Sequence, residues 1–170
     1  MKEVTSSMKQ KKVWILSGIP ASGKSTWVRK NIGPHDEWVS RDSIRFSMLK
    51  DNNKYFDMED RVFETFVYTI NRCLVDPNIE NVYVDATHIT RGSRRKITHR
   101  LDRRNISELN CIVFDIPLGE CLDRNSHREG RAKVPDEVIE DMYKRRTFPT
   151  KKEGFNHICK VTNSEVMEEI

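Results

Sequence analysis

No two cysteines in this chain are spaced C-x-x-C, and none stands beside closely spaced histidines. Cys73, Cys111, Cys121 and Cys159 therefore form no zinc or dithiol redox motif. They are expected to be buried or surface thiols in a reducing compartment. Long apolar runs are missing too. The run after MKEVTSSMKQKK lasts a handful of residues before it meets Gly-x-Pro, too short for a signal peptide or a membrane span. A cytoplasmic protein with no membrane partner is the expectation. There is no repeat, linker or low-complexity segment, so 170 residues read as one domain, with residues 1–11 as a flexible start.

What is present is charge. Charged residues make up 33% of the chain against 36% hydrophobic, with a net charge of +4. That excess permits polyanion binding without requiring it. It is concentrated in Arg91–Arg104 (RGSRRKITHRLDRR) and Arg124–Lys133 (RNSHREGRAK), either of which also reads as a solvated helix face. Short apolar runs alternate with segments of helical periodicity. Strands are expected at 13–18, 38–40, 82–86, 111–116 and 155–161. Helices are expected at 22–31, 41–50, 58–74, 93–104, 118–128 and 135–146, with a polar break at DNNK (51–54). Strands alternating with helices imply an α/β fold of three layers around a roughly five-stranded parallel sheet.

The stretch GIPASGKST satisfies G-x-x-x-x-G-K-[ST] between an expected strand and an expected helix. Such a loop cradles a nucleoside triphosphate with backbone N–H groups and the positive end of the helix. Gly18, Ala21, Ser22, Gly23, Lys24, Ser25 and Thr26 form the expected ATP (or other NTP) site. Lys24 would reach the β and γ phosphates and Ser25 would ligate Mg²⁺.

No acid follows Asp85 in VYVDAT, which disfavours a hydrolase that primes water and leaves Asp85 itself as an outer-sphere magnesium group, an acceptor-site group or a strand-end cap for the next helix. In SRDSIR, Asp42 and Arg45 fall on one face of a first helical turn at a strand's carboxyl end, where open α/β sheets bind ligands. The pair offers a base for an acceptor hydroxyl and a grip for a phosphate, or equally a cap with an i,i+3 ion pair. Arg124 and Arg128 offer a lid over the donor phosphates, or a solvated helix end.

Taken together, GIPASGKSTW, SRDSIR, VDATH, FDIPLGECLDRNSHREGRAKVP and DEVIEDMYKRRTFPTKKEGF resemble the 5′-kinase domain of the phage and animal polynucleotide kinases. The resemblance implies a P-loop kinase fold with a helical, basic lid at about 118–134. It implies ATP and Mg²⁺ as cofactors and the 5′-OH end of DNA or RNA as acceptor. Asp42 would then be the general base, with Lys24 and Arg128 stabilising the transferred group. Arg124 and Arg128 would lie on the donor phosphates. Arg45 would contact the acceptor's 3′ phosphate, and Asp85 and Thr87 would lie at the acceptor-site strand end. His88 departs from the family, many of whose members have Asn there, and Ala86 is a spacer that the phage enzymes lack. No D-x-D-G-T phosphatase element occurs, so a kinase module alone is expected, with phosphatase or ligase steps left to separate partners. The alternatives are a small-molecule P-loop kinase and a nucleic-acid-binding ATPase. Arg91, Arg94, Arg95 and Lys96 are candidate guides for a polymer.

Overall fold

In a computed structural model, residues 9–50, 57–163 and 165–170 are described; the polar break at 51–54 lies outside them. Six strands form one sheet in the order β2-β3-β1-β4-β5-β6. They are β1 (Lys11–Ser17), β2 (Asp36–Ser40), β3 (Asn81–Asp85), β4 (Ile106–Phe114), β5 (Ile158–Val161) and β6 (Met167–Glu169). The first five run parallel, as expected, and β6 adds an antiparallel edge. That edge strand lies in the acidic tail, where three exposed residues carry no apolar alternation to betray a strand. The helices are α1 (Lys24–Asn31), α2 (Arg41–Met48), α3 (Glu59–Val75), α4 (Arg91–Thr98), α5 (Leu118–Ser126) and α6 (Asp136–Arg145).

Strand β1 is paired on both sides, and its near-continuous apolar run is what a doubly covered parallel strand requires. Alternation distributes the core. Val13, Ile15, Val82, Val84, Cys111 and Val113 point to the face covered by Phe66, Val67 and Ile70 of α3. Leu16, Tyr83, Ile112 and Phe114 point to the opposite face, against Trp27 and Val28 of α1. A third apolar cluster joins Ile19 and Ala21 of the P-loop to Cys121 of α5 and Ile139 of α6. All four cysteines are buried thiols. Burial pushes Cys73 up to about 11 and Cys111 up to about 12.

Several boundaries differ from expectation. Strand β1 already includes Lys11, which is buried, so the flexible start does not extend to residue 11; residues 1–8 lie outside the described part. The basic helix expected at 93–104 is α4, which ends at Thr98; the rest forms a turn and a 3₁₀ segment at Arg103–Asn105. Strand β4 starts five residues before the apolar run, because its first half pairs with β1 on a partly polar edge. No helix among the described residues is long and apolar enough to cross a membrane.

Candidate active site

Each parallel strand ends on one face of the molecule, and each delivers part of the site there, as in other open α/β sheets. The P-loop follows β1. Ala21 and Gly23 have left-handed backbones, φ 63° and 87°, which turn the chain so that α1 begins at Lys24. Gly18 admits no side chain: a Cβ there would meet Ser22 Oγ at 2.5 Å. Lys24 Nζ donates to the carbonyls of Gly18 and Ile19, at 2.8 and 3.1 Å, and so lies across the loop it is to serve. The Ser22 hydroxyl is buried and, among the described residues, has no hydrogen-bond partner, which leaves a donor ready for a phosphate oxygen.

Asp85 closes β3. Its Oδ2 accepts from the indole N–H of Trp38 at 3.0 Å and from Ser25 Oγ at 3.4 Å. Burial pushes its carboxyl up, opposed by the Lys24 ammonium and the Trp38 hydrogen bond. Burial likewise pushes Lys24 down, opposed by Asp85 and Asp42 and reinforced by Arg128. Lys24, Asp85, Asp42 and Arg128 therefore share one electrostatic neighbourhood, although they come from four separate segments. The Ser25 hydroxyl and the Asp85 carboxylate are adjacent hard oxygen donors, a set that fits Mg²⁺ with its remaining positions left to phosphate and water.

Asp42 stands exposed on the first turn of α2, which Ser40 caps by accepting from the Ser43 N–H. Arg45 forms the i,i+3 ion pair with Asp42 that was the alternative to a phosphate grip, and it has a second anionic partner besides. It is 5% exposed, donates through Nε and NH2 to both oxygens of Glu59 at 3.0 Å, and turns NH1 to Asp42. Arg41 also pairs with Glu59. Glu59 thus anchors both arginines of the R-D-x-x-R element. Burial pushes its carboxyl up, but the Arg45 hydrogen bonds and the Arg41 charge outweigh that and hold it below its usual range. Nothing in the sequence marked Glu59, which lies on α3, across a segment with no pattern of its own. Trp38 carried one signal, its place two residues before the strand end.

Thr87 braces the cradle through its carbonyl, which accepts from Gly18 N–H at 2.8 Å. His88 follows with φ 43°, a left-handed conformation that Asn adopts more readily. It is 4% exposed, stacks on Phe66, and donates from Nδ1 to the Leu16 carbonyl at 3.0 Å. The departure D-A-T-H is thus a structural tie between β3 and β1. Arg94, expected among the polymer guides, is 1% exposed. It is held by Glu153 at 3.0 Å and by the carbonyls of Thr147 and His88 at 2.8 and 3.1 Å. The P-T-x-x-E-G-F element is its counterpart: Thr150 and Glu153 form a capping box, Gly154 turns at φ 94°, and Phe155 enters the core.

The segment expected to form a lid consists of α5 and the loop after it. Arg124 NH1 reaches the Ala21 carbonyl at 3.4 Å, over the P-loop. Arg128 is exposed, with NH1 3.4 Å from the Ala132 carbonyl. Between them Asn125 is fully buried; it donates to Val134 O at 2.6 Å and accepts from Val134 N–H at 3.1 Å, pinning the loop's far end. A cavity of about 380 Å³ opens between the lid arginines, Ala21–Gly23, Thr26, Trp27 and the turn after β5, including Thr162, Asn163 and Glu165. That turn had no sequence signal, since its part is set by strand order alone.

Fold and loop geometry together define a P-loop protein of kinase architecture. A family described as an AAA domain matches residues 13–149, and the chain belongs to that family. An L-seryl-tRNA(Sec) kinase of Methanococcus maripaludis is 30% identical over 146 residues, which is 79% of this chain and 52% of its own length. The chain thus spans about half of that curated relative. Among solved structures, a chain of the Pnkp1/Rnl/Hen1 RNA repair complex superposes with TM-score 0.67 and 24% identity, over 83% of this chain and 45% of that one. A fungal RNA kinase gives 0.61 and 15%, over 91% and 75%. A sugar kinase from Janibacter sp. HTCC2649 gives 0.55 and 17%, over 90% and 85%. At these identities the structures establish the fold.

Proposed function

We propose that this chain transfers the γ-phosphoryl group of ATP to the 5′-hydroxyl end of a polynucleotide. The observation that carries this reading is Asp42. An exposed carboxylate on the first turn of α2, held by Arg45 and within the field of Lys24, suits a general base for an alcohol. Asp42 takes the proton of the acceptor hydroxyl as the new O–P bond forms. The bond from the γ phosphorus to the β-bridging oxygen breaks, and ADP leaves. Lys24, Arg124 and Arg128 balance the charge that spreads over the moving phosphoryl group. Ser25 and Asp85 would hold Mg²⁺, which when bound neutralises the β and γ oxygens. A fungal RNA kinase and a chain of an RNA repair complex among the structural neighbours support a nucleic-acid acceptor.

Transfer of label from γ-labelled ATP to 5′-OH oligonucleotides tests the reading, with phosphate release to water measured alongside. Asp42→Asn is expected to lower the transfer rate by about 10²–10⁴ while ATP binding persists. Phosphate release without a labelled product would sink it. A second reading rests on the curated relative, which is named as a kinase of L-seryl-tRNA(Sec). Label on aminoacyl-tRNA or on a free sugar, and none on 5′-OH ends, would select the relative or the sugar-kinase neighbour as guide.

A further inference from the structure

Three cations converge on one aromatic ring beside the acceptor carboxylate. Lys96 Nζ lies 4.4 Å, Arg41 Cζ 5.3 Å and Arg100 Cζ 5.8 Å from the ring centroid of Phe63. Each contact is favourable singly, but like charges gathered on one ring repel. Nearby carboxylates relieve this only in part. Glu64 takes Arg100 in two-pronged fashion, at 3.0 and 2.8 Å. Glu59 is shared by Arg41 and Arg45. Lys96 has no carboxylate of its own among the described residues, since Glu64, which feels its charge, is committed to Arg100. The Nε of Arg41 is buried and, among the described residues, has no acceptor. On the same helix as Lys96, Arg91 and Arg95 are exposed one turn apart.

We propose that this surface, from Arg41 across Lys96 to Arg95 and Arg91, carries the phosphodiester backbone of the acceptor strand beyond its first nucleotide. The inference rests on the kinase reading, because the surface begins at the residue next to Asp42. It makes the preferred acceptor a strand several nucleotides long. Phe63 is only 7% exposed, so it holds cations in place and offers no face on which a base would stack. Contacts of this kind are made to phosphates and are indifferent to sequence. They also weaken with salt, because counterions released on binding must be recaptured when the strand leaves.

The experiment has two arms, both on the full chain. In the first, anisotropy of a 3′-labelled 5′-OH decanucleotide is followed over a series of salt concentrations. Lys96→Glu combined with Arg95→Glu is expected to weaken binding at least about tenfold and to flatten the slope of log Kd against log salt by about 0.7 for each cation lost. Lys96→Arg should bind as the wild type does. Affinity and slope that stay the same in the double Glu variant would overturn the proposal. Both positions are exposed, and the milder Lys96→Gln with Arg95→Gln pair decides the matter should the Glu variant melt early. In the second arm, KM is compared between a nucleoside 3′-phosphate and the decanucleotide. The wild type is expected to favour the longer acceptor about tenfold, and the double variant to lose that preference. Equal KM for the two acceptors in the wild type would also overturn it. A wild type that binds the strand with the expected slope but labels no 5′-OH acceptor would refute the kinase reading and not the track.

Discussion

At the scale of single residues, function depends on a few side chains whose partners lie far away in sequence. Glu59 is the clearest case. Its carboxylate pairs with both Arg41 and Arg45, and Arg45 in turn pairs with Asp42, the base of the proposed reaction. Glu59→Gln is expected to lower kcat/KM for the acceptor by roughly ten- to a hundredfold, since small misplacements of a reacting group cost that much. The KM for ATP should hardly move, and steady-state kinetics with each substrate varied would separate the two. His88 gives a prediction of a different kind. Burial lowers its pKa from 6.5 to about 4. Between those values the unfolded chain binds the proton and the folded one does not. Stability is therefore complete above about pH 6.5 and falls as the pH drops toward 4, by roughly 3 kcal/mol in all. His88→Asn, which suits the left-handed backbone, should flatten the stability profile over that window in urea titrations at several pH values.

At the scale of elements, α4 shows how one helix divides its labour. Its inward face holds Arg94 against Glu153, and its outward face keeps Arg91, Arg95 and Lys96 in solvent. Both partners of the Arg94–Glu153 pair are buried, so removing one leaves the other uncompensated. Glu153→Ala is expected to cost roughly 3–5 kcal/mol, lowering the melting temperature by roughly 10 °C. Exposed Arg95→Ala should change it little, and calorimetry of the two variants makes the comparison. The P-loop and the first turn of α2 were legible in the sequence because their chemistry is local: glycine spacing, a cap, a hydroxyl next to a lysine. The roles of Arg45 and Arg94 were not. Each is decided by a carboxylate on another element, Glu59 fourteen residues and Glu153 fifty-nine residues along the chain. Spacing within a helix says nothing about such a partner. The sixth strand escaped for a related reason, since an exposed edge strand needs no apolar pattern.

At the scale of the molecule, five parallel strands bring the P-loop, Asp42, Asp85, the basic segment that starts with α5 and the turn after β5 to one rim. The segment proposed as a lid is held at both ends and exposed between them: Arg124 rests on the P-loop, Asn125 holds Val134, and the residues from Ser126 to Lys133 are exposed, with Arg131 donating to the Lys50 carbonyl at 2.8 Å. A basic, exposed loop of this kind is open to trypsin. Binding of a non-hydrolysable ATP analogue with Mg²⁺ is expected to slow cleavage between Arg128 and Lys133 several-fold, as followed by mass spectrometry, and Arg128→Ala should forfeit much of that protection.

The four cysteines lie inside the fold, where burial raises every one of their pKa values and leaves little thiolate at neutral pH. To a maleimide dye the native chain is therefore almost blank. A single cysteine introduced at exposed Ala132 would be the one fast-reacting thiol, with no need to remove the natural four. The protein comes ready for site-specific labelling, and any movement of the segment from Ser126 to Lys133 can be timed in the otherwise unaltered molecule.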